Sequence, residues 1–256
     1  MYQLISYIKF LLKSTNQHGV HSPFVYDFVT KCLYDKTKYK AYQKIKTYRK
    51  QLLKSQSILN ITDFGAGSKQ MNENKRRVSK MVKNSSSSLK DSKLLYRISN
   101  YFQFKNTLEL GTSLGVGTQA LALGHPKNKI KTIEGCPETF NFSKHQFETQ
   151  NLSNITAINS DFESVISELQ NEAFDCIFFD GHHSKTATLN YFNQLLSKAH
   201  NDSVFIFDDI YWSKNMTDAW TEIINDNRVS VSIDTFHFGF IFFRKEQLKQ
   251  HFRIRL

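Results

Sequence analysis

Residues 107–118 read Thr107-Leu-Glu-Leu-Gly-Thr-Ser-Leu-Gly-Val-Gly-Thr118, and a second apolar run downstream ends in Lys131-Thr-Ile-Glu-Gly135. A short apolar strand that runs into a glycine loop and opens a helix brings backbone close to a ligand, with the first N–H groups of the helix pointing at it. An acidic residue at the tip of the next strand, Glu134, is placed to accept hydrogen bonds from two ribose hydroxyls. Together the two segments describe a nucleoside pocket.

What is missing narrows the nucleoside. The glycines at 111, 115 and 117 do not fit the G-x-G-x-x-G spacing of dinucleotide folds, and no Gly-Lys-Ser/Thr follows to hold a triphosphate. Glu109, ahead of the first glycine, repels phosphate and suits a cation such as the α-amino group and sulfonium of S-adenosylmethionine. The segment resembles motif I of the class I S-adenosylmethionine-dependent methyltransferases, and Lys131 to Gly135 resembles their ribose-binding strand end. The resemblance implies cofactor contacts at Glu109, Gly111, Thr112, Ser113, Gly115, Gly117, Glu134 and Gly135. It further implies that Ser160, Asp161 and Phe162, after the third strand, meet the adenine, with Asp161 accepting from the exocyclic amine. Asp161 is also placed to cap the helix that follows, and the two roles can coexist.

Outward from the loop, apolar runs and helical patterns alternate, which implies βαβ units and a parallel sheet. The expected strands are 107–110, 129–133, 155–159, 176–179, 204–207, 229–233 and 238–243, with helices starting near 117, 137, 161, 185 and 213. Only residues 234–237 separate the last two strands, so they form a hairpin. The fold class is therefore α/β: a Rossmann-like, seven-stranded, mostly parallel sheet with an antiparallel last strand, plus an N-terminal helical region. The resemblance covers residues 90–256 and implies the same sheet. Residues 1–89 are expected to form a basic, mainly helical region that serves as a lid or a binding surface.

In an open α/β sheet, ligands bind at the carboxyl ends of the strands. Asp180 falls at such an end in Phe178-Phe-Asp-Gly-His-His-Ser184, and Asp208 and Asp209 at another in Val204-Phe-Ile-Phe-Asp-Asp-Ile-Tyr-Trp212. Acidic side chains beside buried strands are expected to be paired or bound to metal, and three of them make a hard oxygen site suited to Mg²⁺. The resemblance agrees, since metal-dependent O-methyltransferases, of the catechol type and of the type that methylates antibiotic sugars, carry acids after the fourth and fifth strands. It implies that Asp180 serves cofactor and chemistry, and that His183 stands where these families place a Lys or His general base. The ordinary imidazole pKa suits that task, with His182 as its neighbour and competitor. Tyr211 and Trp212 are candidates for a substrate wall, or else pack the next helix.

The chain has 256 residues and a net charge of +11, distributed unevenly. Residues 1–106 hold 21 Lys and Arg against 5 Asp and Glu, or +16, whereas residues 107–256 hold 13 against 18, or −5. A basic surface interleaved with Tyr34, Tyr39, Tyr42 and Tyr48 suits an anionic partner, and it also suits a solvated helix face. Cys32, Cys136 and Cys176 are scattered, with no C-x-x-C, and are expected as buried thiols. No apolar run is long enough to span a membrane and the N-terminus lacks a secretory signal, so a cytoplasmic location is expected. A second glycine stretch, Ile61-Thr-Asp-Phe-Gly-Ala-Gly-Ser68, imitates motif I but is followed by a basic stretch rather than an acidic strand end. It is read as a loop of the N-terminal region.

Three functional classes follow. The first is a Mg²⁺-dependent O-methyltransferase that uses S-adenosylmethionine on a hydroxyl of a small molecule or glycan, with a homodimer compatible. The second is a nucleic-acid methyltransferase, not favoured, and restricted to ribose hydroxyls. The chain lacks the Asn/Asp-Pro-Pro-aromatic loop of base amino methylation, and Cys136-Pro137 reverses the Pro-Cys order of cytosine C5 chemistry. The third is a non-catalytic module that binds S-adenosylmethionine or RNA.

Overall fold

Alternation of apolar runs with polar turns after residue 105 folds into alternating strands and helices, and the basic N-terminal third folds mainly into helices. The computed structural model describes residues 1–62, 74–84, 87–169 and 172–256. Along the chain, α1 (Tyr2–Lys13) and α2 (Pro23–Phe28) precede the lysine-rich α3 (Ala41–Lys54). A short antiparallel pair, β1 (Ile58–Asn60) and β2 (Lys75–Arg77), leads to α4 (Val78–Asn84) and α5 (Leu89–Phe102). Next come β3 (Asn106–Leu110), α6 (Val116–Gly124), β4 (Lys129–Glu134), α7 (Pro137–Thr149), β5 (Ile155–Asn159) and α8 (Phe162–Glu168). The chain closes with β6 (Cys176–Phe179), α9 (Lys185–Leu195), β7 (Val204–Asp208), α10 (Lys214–Asn225), β8 (Val231–Asp234), β9 (Phe238–Phe242) and β10 (Gln250–Arg253). This is a Rossmann-like α/β fold with mostly parallel strands. Among the described residues, no helix is long and apolar enough to cross a membrane.

Two compact units share these elements: a central unit, Asp35–Val165, and a terminal unit made of Met1–Tyr34 with Ile166–Leu256. In the central unit β3, β4 and β5 run parallel, in a register that sets Leu110 beside Ile133 and Glu134 beside Asn159. The charge of α3 resolves by helical spacing, since Ile45, Tyr48 and Leu52 turn inward while Lys44, Lys46, Lys50 and Lys54 stay exposed. Its buried face joins Leu59, Val78, Met81, Val82, Leu114 and Val116 in one core cluster. A buried tyrosine brings a hydroxyl that must be satisfied, and Tyr48 Oη donates to the carbonyl of Leu114 at 2.6 Å. The basic helix is thereby fastened to the glycine loop.

The terminal unit has β6 parallel to β7, β9 antiparallel to both β7 and β8, and β10 parallel to β8. The expected hairpin and its antiparallel strand are present. The strand β10 is an addition to the seven expected, because Gln-His-Phe-Arg has no apolar alternation to announce it. The interior is aromatic: Phe179 stacks on Phe207 with centroids 4.3 Å apart, and Phe28 of α2 meets Phe240 and Phe242 edge-on. Helix α2 starts as its Ser22-Pro23 pair dictates, with the Ser22 hydroxyl accepting from Val25 N and Pro23 in the first turn. Gly239 is required by close approach, since a Cβ there would lie 2.7 Å from the Trp220 ring. Thr15 bridges to the C-terminal strand segment, its N–H donating to Arg253 O and its carbonyl accepting from Arg255 N.

From Asp63 onward the second glycine stretch lies outside the described residues, as do Ser85 and Ser86 of the serine run. Ser88, at the end of that run, caps α5 by accepting from Asp91 N, and it donates back to the Asp91 carboxylate. All three cysteines are buried, and none forms a disulfide among the described residues.

Tyr48→Phe keeps the ring and strips the buried Leu114 carbonyl of its donor. It is expected to destabilise the protein by about 1–2 kcal/mol, read as a lower urea midpoint at unchanged slope. An unchanged midpoint contradicts the fastening role.

Candidate functional site

Apart from Asp180, the cofactor residues expected from the sequence lie in the central unit. At the end of β3 the chain turns through three residues of positive φ, Gly111 at 108°, Ser113 at 49° and Gly115 at 72°. Only glycine takes such conformations freely, and at Gly115 a Cβ would also sit 2.5 Å from the Phe147 ring. The N–H groups of Gly111 and Thr112 both donate to the carbonyl of Ile133, at 3.0 and 3.2 Å. Gly117 follows as the second residue of α6, in its buried first turn.

Glu134 completes this pin from the tip of β4. One carboxylate oxygen accepts from Ser113 N at 2.8 Å and the other from Cys136 N at 2.9 Å. The backbone here is tied to the next strand end, since the Asn159 side chain donates to the carbonyls of Glu134 and Gly135, and Ser160 N donates to Glu134 O. Asp161 caps α8, accepting from Ser164 N at 2.8 Å and from the Ser164 hydroxyl at 2.7 Å. Those bonds hold its carboxyl below the usual range. Phe162, half-buried, opens α8.

Glu109 is placed differently from the contact residue expected of it. Its side chain is 1% exposed and one of its oxygens accepts from the hydroxyls of Thr118 and Thr132 at 2.5 and 2.6 Å. Thr132 in turn meets the Thr112 hydroxyl at 2.5 Å. Burial pushes the Glu109 carboxyl up to about 7, against the pull of the two threonines, with the Glu134 charge adding to the rise. The chain Glu109–Thr132–Thr112 supports the loop from inside the core. Sequence reasoning missed both threonines; the available signal was a glutamate in an apolar strand that had to be satisfied by neighbours on its own face.

A second contact missed in the sequence ties β1 to the start of α7. Glu138 accepts from the backbone and side-chain nitrogens of Asn60 at 2.6 and 2.9 Å, and Thr62 N points at the Cys136 sulfur at 3.4 Å. The segment that leads into the second glycine stretch is therefore anchored beside Glu134.

The acidic and histidine residues lie in the terminal unit. Phe179 pairs with Phe207 across the parallel β6 and β7, so Asp180 and Asp208 follow at adjacent strand ends, both half-buried. Asp209 takes φ 54° and starts a turn closed by Trp212 N on its carbonyl. Its charge acts on His183. Burial lowers the His183 pKa from 6.5, the Asp209 carboxylate opposes that shift, and His182 adds to it. At neutral pH His183 is therefore an uncharged imidazole facing a carboxylate. His182 has φ 56°, lies edge-on to Tyr191, and its buried Nδ1 has no hydrogen-bond partner. Among the described residues, no three His, Cys, Asp or Glu side chains are grouped to hold a metal ion.

Tyr211 is committed elsewhere than to an open wall. Its ring stacks on Phe236 with centroids 4.9 Å apart and meets Phe10 edge-on, while its hydroxyl donates to buried Asp234 at 2.6 Å. Burial first, then the Asp234 charge, pushes its phenol well above the usual range. Trp212 is half-buried at the turn.

Residues 108–210 match the family described as a methyltransferase domain. Solved structures share the fold. A methyltransferase from Podospora anserina bound to S-adenosylhomocysteine (SAH) aligns with TM-score 0.61 at 14% identity, over 88% of this chain and 98% of that one. An O-methyltransferase from Bacillus cereus in complex with SAH gives 0.55 at 16%, over 83% and 98%. An O-methyltransferase from Streptomyces achromogenes, involved in tomaymycin synthesis and solved with S-adenosylmethionine, gives 0.57 at 14%, over 81% and 91%. No curated protein matches the chain in sequence. Residues 108–210, which hold the glycine loop, Glu134, Asp180 and the Asp208–Asp209 pair, thus match a methyltransferase domain, and the Rossmann-like fold around them is shared with solved methyltransferases.

Proposed function

We propose that the chain is an S-adenosylmethionine-dependent O-methyltransferase acting on a hydroxyl of a small molecule or glycan. The observation that carries the proposal is Glu134, whose two oxygens accept backbone N–H groups of the glycine loop and of the start of α7 and so fix a carboxylate at the strand tip beside the loop, where a ribose is bound in such folds. Gly111, Thr112, Ser113, Gly115, Gly117 and Gly135 shape the backbone against the nucleoside, and Ser160, Asp161 and Phe162 offer the adenine edge. When bound, S-adenosylmethionine supplies an electrophilic methyl carbon. Glu109 lies beneath the loop, where its ionised form favours a positive ligand over a neutral one.

Acceptor activation falls to His183. Its neutral imidazole takes the proton of the acceptor hydroxyl, and the Asp209 carboxylate stabilises the imidazolium that forms. Asp180 and Asp208, at the neighbouring strand ends, orient the acceptor by accepting its other hydroxyls. A Mg²⁺ requirement, expected from the three acids, is routed through no step here, because they do not form one donor group. The lysine face of α3 favours a second reading, a ribose hydroxyl within RNA, which salt-sensitive binding of an RNA oligonucleotide to the intact chain would promote.

Glu134→Ala is expected to weaken SAH binding by about 1–3 kcal/mol in calorimetry; unchanged affinity removes the ribose assignment. The ratio of S-adenosylmethionine to SAH affinity is expected to rise, up to about tenfold, as pH rises through about 7 and Glu109 ionises, and to flatten in Glu109→Gln. A ratio independent of pH in the parent chain contradicts the field role. For the base, the acid limb of kcat/KM is expected below pH 6.5, since the His183 pKa is lowered, and His183→Gln is expected to cost about 10²–10⁴-fold in kcat. A limb above 6.5 rejects His183 as the base, and activity abolished by EDTA and restored by Mg²⁺ returns the acids to a metal role.

A further inference from the structure

Helix α1 carries two apolar faces, and the broader one points away from the protein. Phe10 is buried against Phe236 and Tyr211, with Ser6 beside it and Tyr7 edge-on to Phe236. This narrow seam is enough to dock the helix on the terminal unit. On the opposite side Leu4, Ile5, Ile8 and Leu12 fall at helical spacing and remain 64%, 46%, 51% and 82% exposed. Isolated exposed leucines need no explanation, whereas four aliphatic side chains aligned on one helix face mark a binding surface.

The flanks of the stripe indicate the partner. Lys9 and Lys13 are exposed and lie together on one side of it, and residues 1–26 contain no Asp or Glu. Tyr2 and Tyr7, each partly exposed, border its two edges. Aliphatic side chains bordered by tyrosines and lysines are the composition of a helix lying in the plane of a lipid–water interface. There tyrosines sit at the headgroup level, and lysine stems run along the apolar surface while their charges reach lipid phosphates. The stripe offers roughly 400 Å² of apolar area, about half of what each partner of a stable protein interface buries. Immersion among acyl chains has no such minimum, because every exposed methylene contributes separately.

We propose that α1 seats this protein on an anionic lipid surface, with Leu4, Ile5, Ile8 and Leu12 immersed and Lys9 and Lys13 against the headgroups. None of these residues is among those assigned to cofactor or acceptor, and the proposal does not depend on the methyl-transfer reading. The helix lies parallel to the bilayer and does not cross it, in keeping with its 12 residues.

The test is co-sedimentation of the intact chain with vesicles of phosphatidylcholine alone or with a third phosphatidylglycerol, alongside light scattering of the protein without lipid. Retention on the anionic vesicles is expected, several-fold above that on the neutral ones and reduced at high salt. The double variant Leu4→Glu/Leu12→Glu is expected to lose it at least fivefold with unchanged circular dichroism and Tm, since both side chains are exposed. Lys9→Ala/Lys13→Ala should lower retention while keeping the fold. Absence of retention, equal retention on neutral vesicles, or retention unaffected by the leucine variant overturns the proposal. A dimer that the leucine variant splits assigns the face to a second copy and overturns it equally.

Discussion

The tip of β4 holds the glycine loop in a conformation it would not keep alone. Residues of positive φ at 111, 113 and 115 reverse the chain within five positions, and each such residue sacrifices regular backbone pairing. The carbonyl of Ile133 gathers two of the displaced N–H groups and the Glu134 carboxylate a third. Because Ile133 stands beside Leu110 in the parallel register, the strand that carries the acid also fixes the turn opposite it. The direction of α6 and the position of the Leu114 carbonyl, which Tyr48 reaches from α3, follow from that one arrangement.

Both units keep a carboxyl group in the interior, and they treat it alike. Glu109 is met by two threonine hydroxyls, and Asp234 by the phenol of Tyr211, the N–H of Phe236 and, more distantly, Arg253. In each case burial raises the carboxyl pKa more than the donors lower it. For Glu109, whose folded pKa is raised from 4.5 to about 7, the favourable contribution is complete below the lower value and is lost as pH rises through the higher one. Glu109 connects through the Thr132 hydroxyl to Thr112 in the loop that Glu134 pins.

Strands and their order of types were legible because burial leaves a plain record. Phe178, Phe205, Phe207, Phe238 and Phe240 sit on strands with no exposed face, so their runs are continuous and apolar. Helix starts were legible where a serine caps them, as at Ser22 and Ser184. The loop and Glu134 were legible because glycine and an acid at a strand tip have few alternative uses. What was not legible depended on partners distant in sequence. Lys75-Arg-Arg77 becomes a strand only by pairing with Ile58–Asn60, and the same holds for Gln250–Arg253 beside β8. Asp209 takes a left-handed backbone although it is not glycine and bears on His183 by charge, and Tyr211 is taken up by an aspartate 23 positions on. No local pattern records either.

The bridge from Thr15 to Arg253 and Arg255 also bears on how the chain is made. The terminal unit is assembled from the first 34 residues and the last 91, with residues 35–165 between them. A ribosome delivers its opening helices long before the strands that receive them, so Phe10 and Phe28 must wait, exposed, for Phe236, Phe240 and Phe242. The residues of the central unit are contiguous and emerge together in that interval. Vectorial synthesis therefore favours an order in which the glycine loop is complete before the acidic strand ends have left the exit tunnel, and it makes the nascent N-terminal segment the part of this protein most in need of a chaperone.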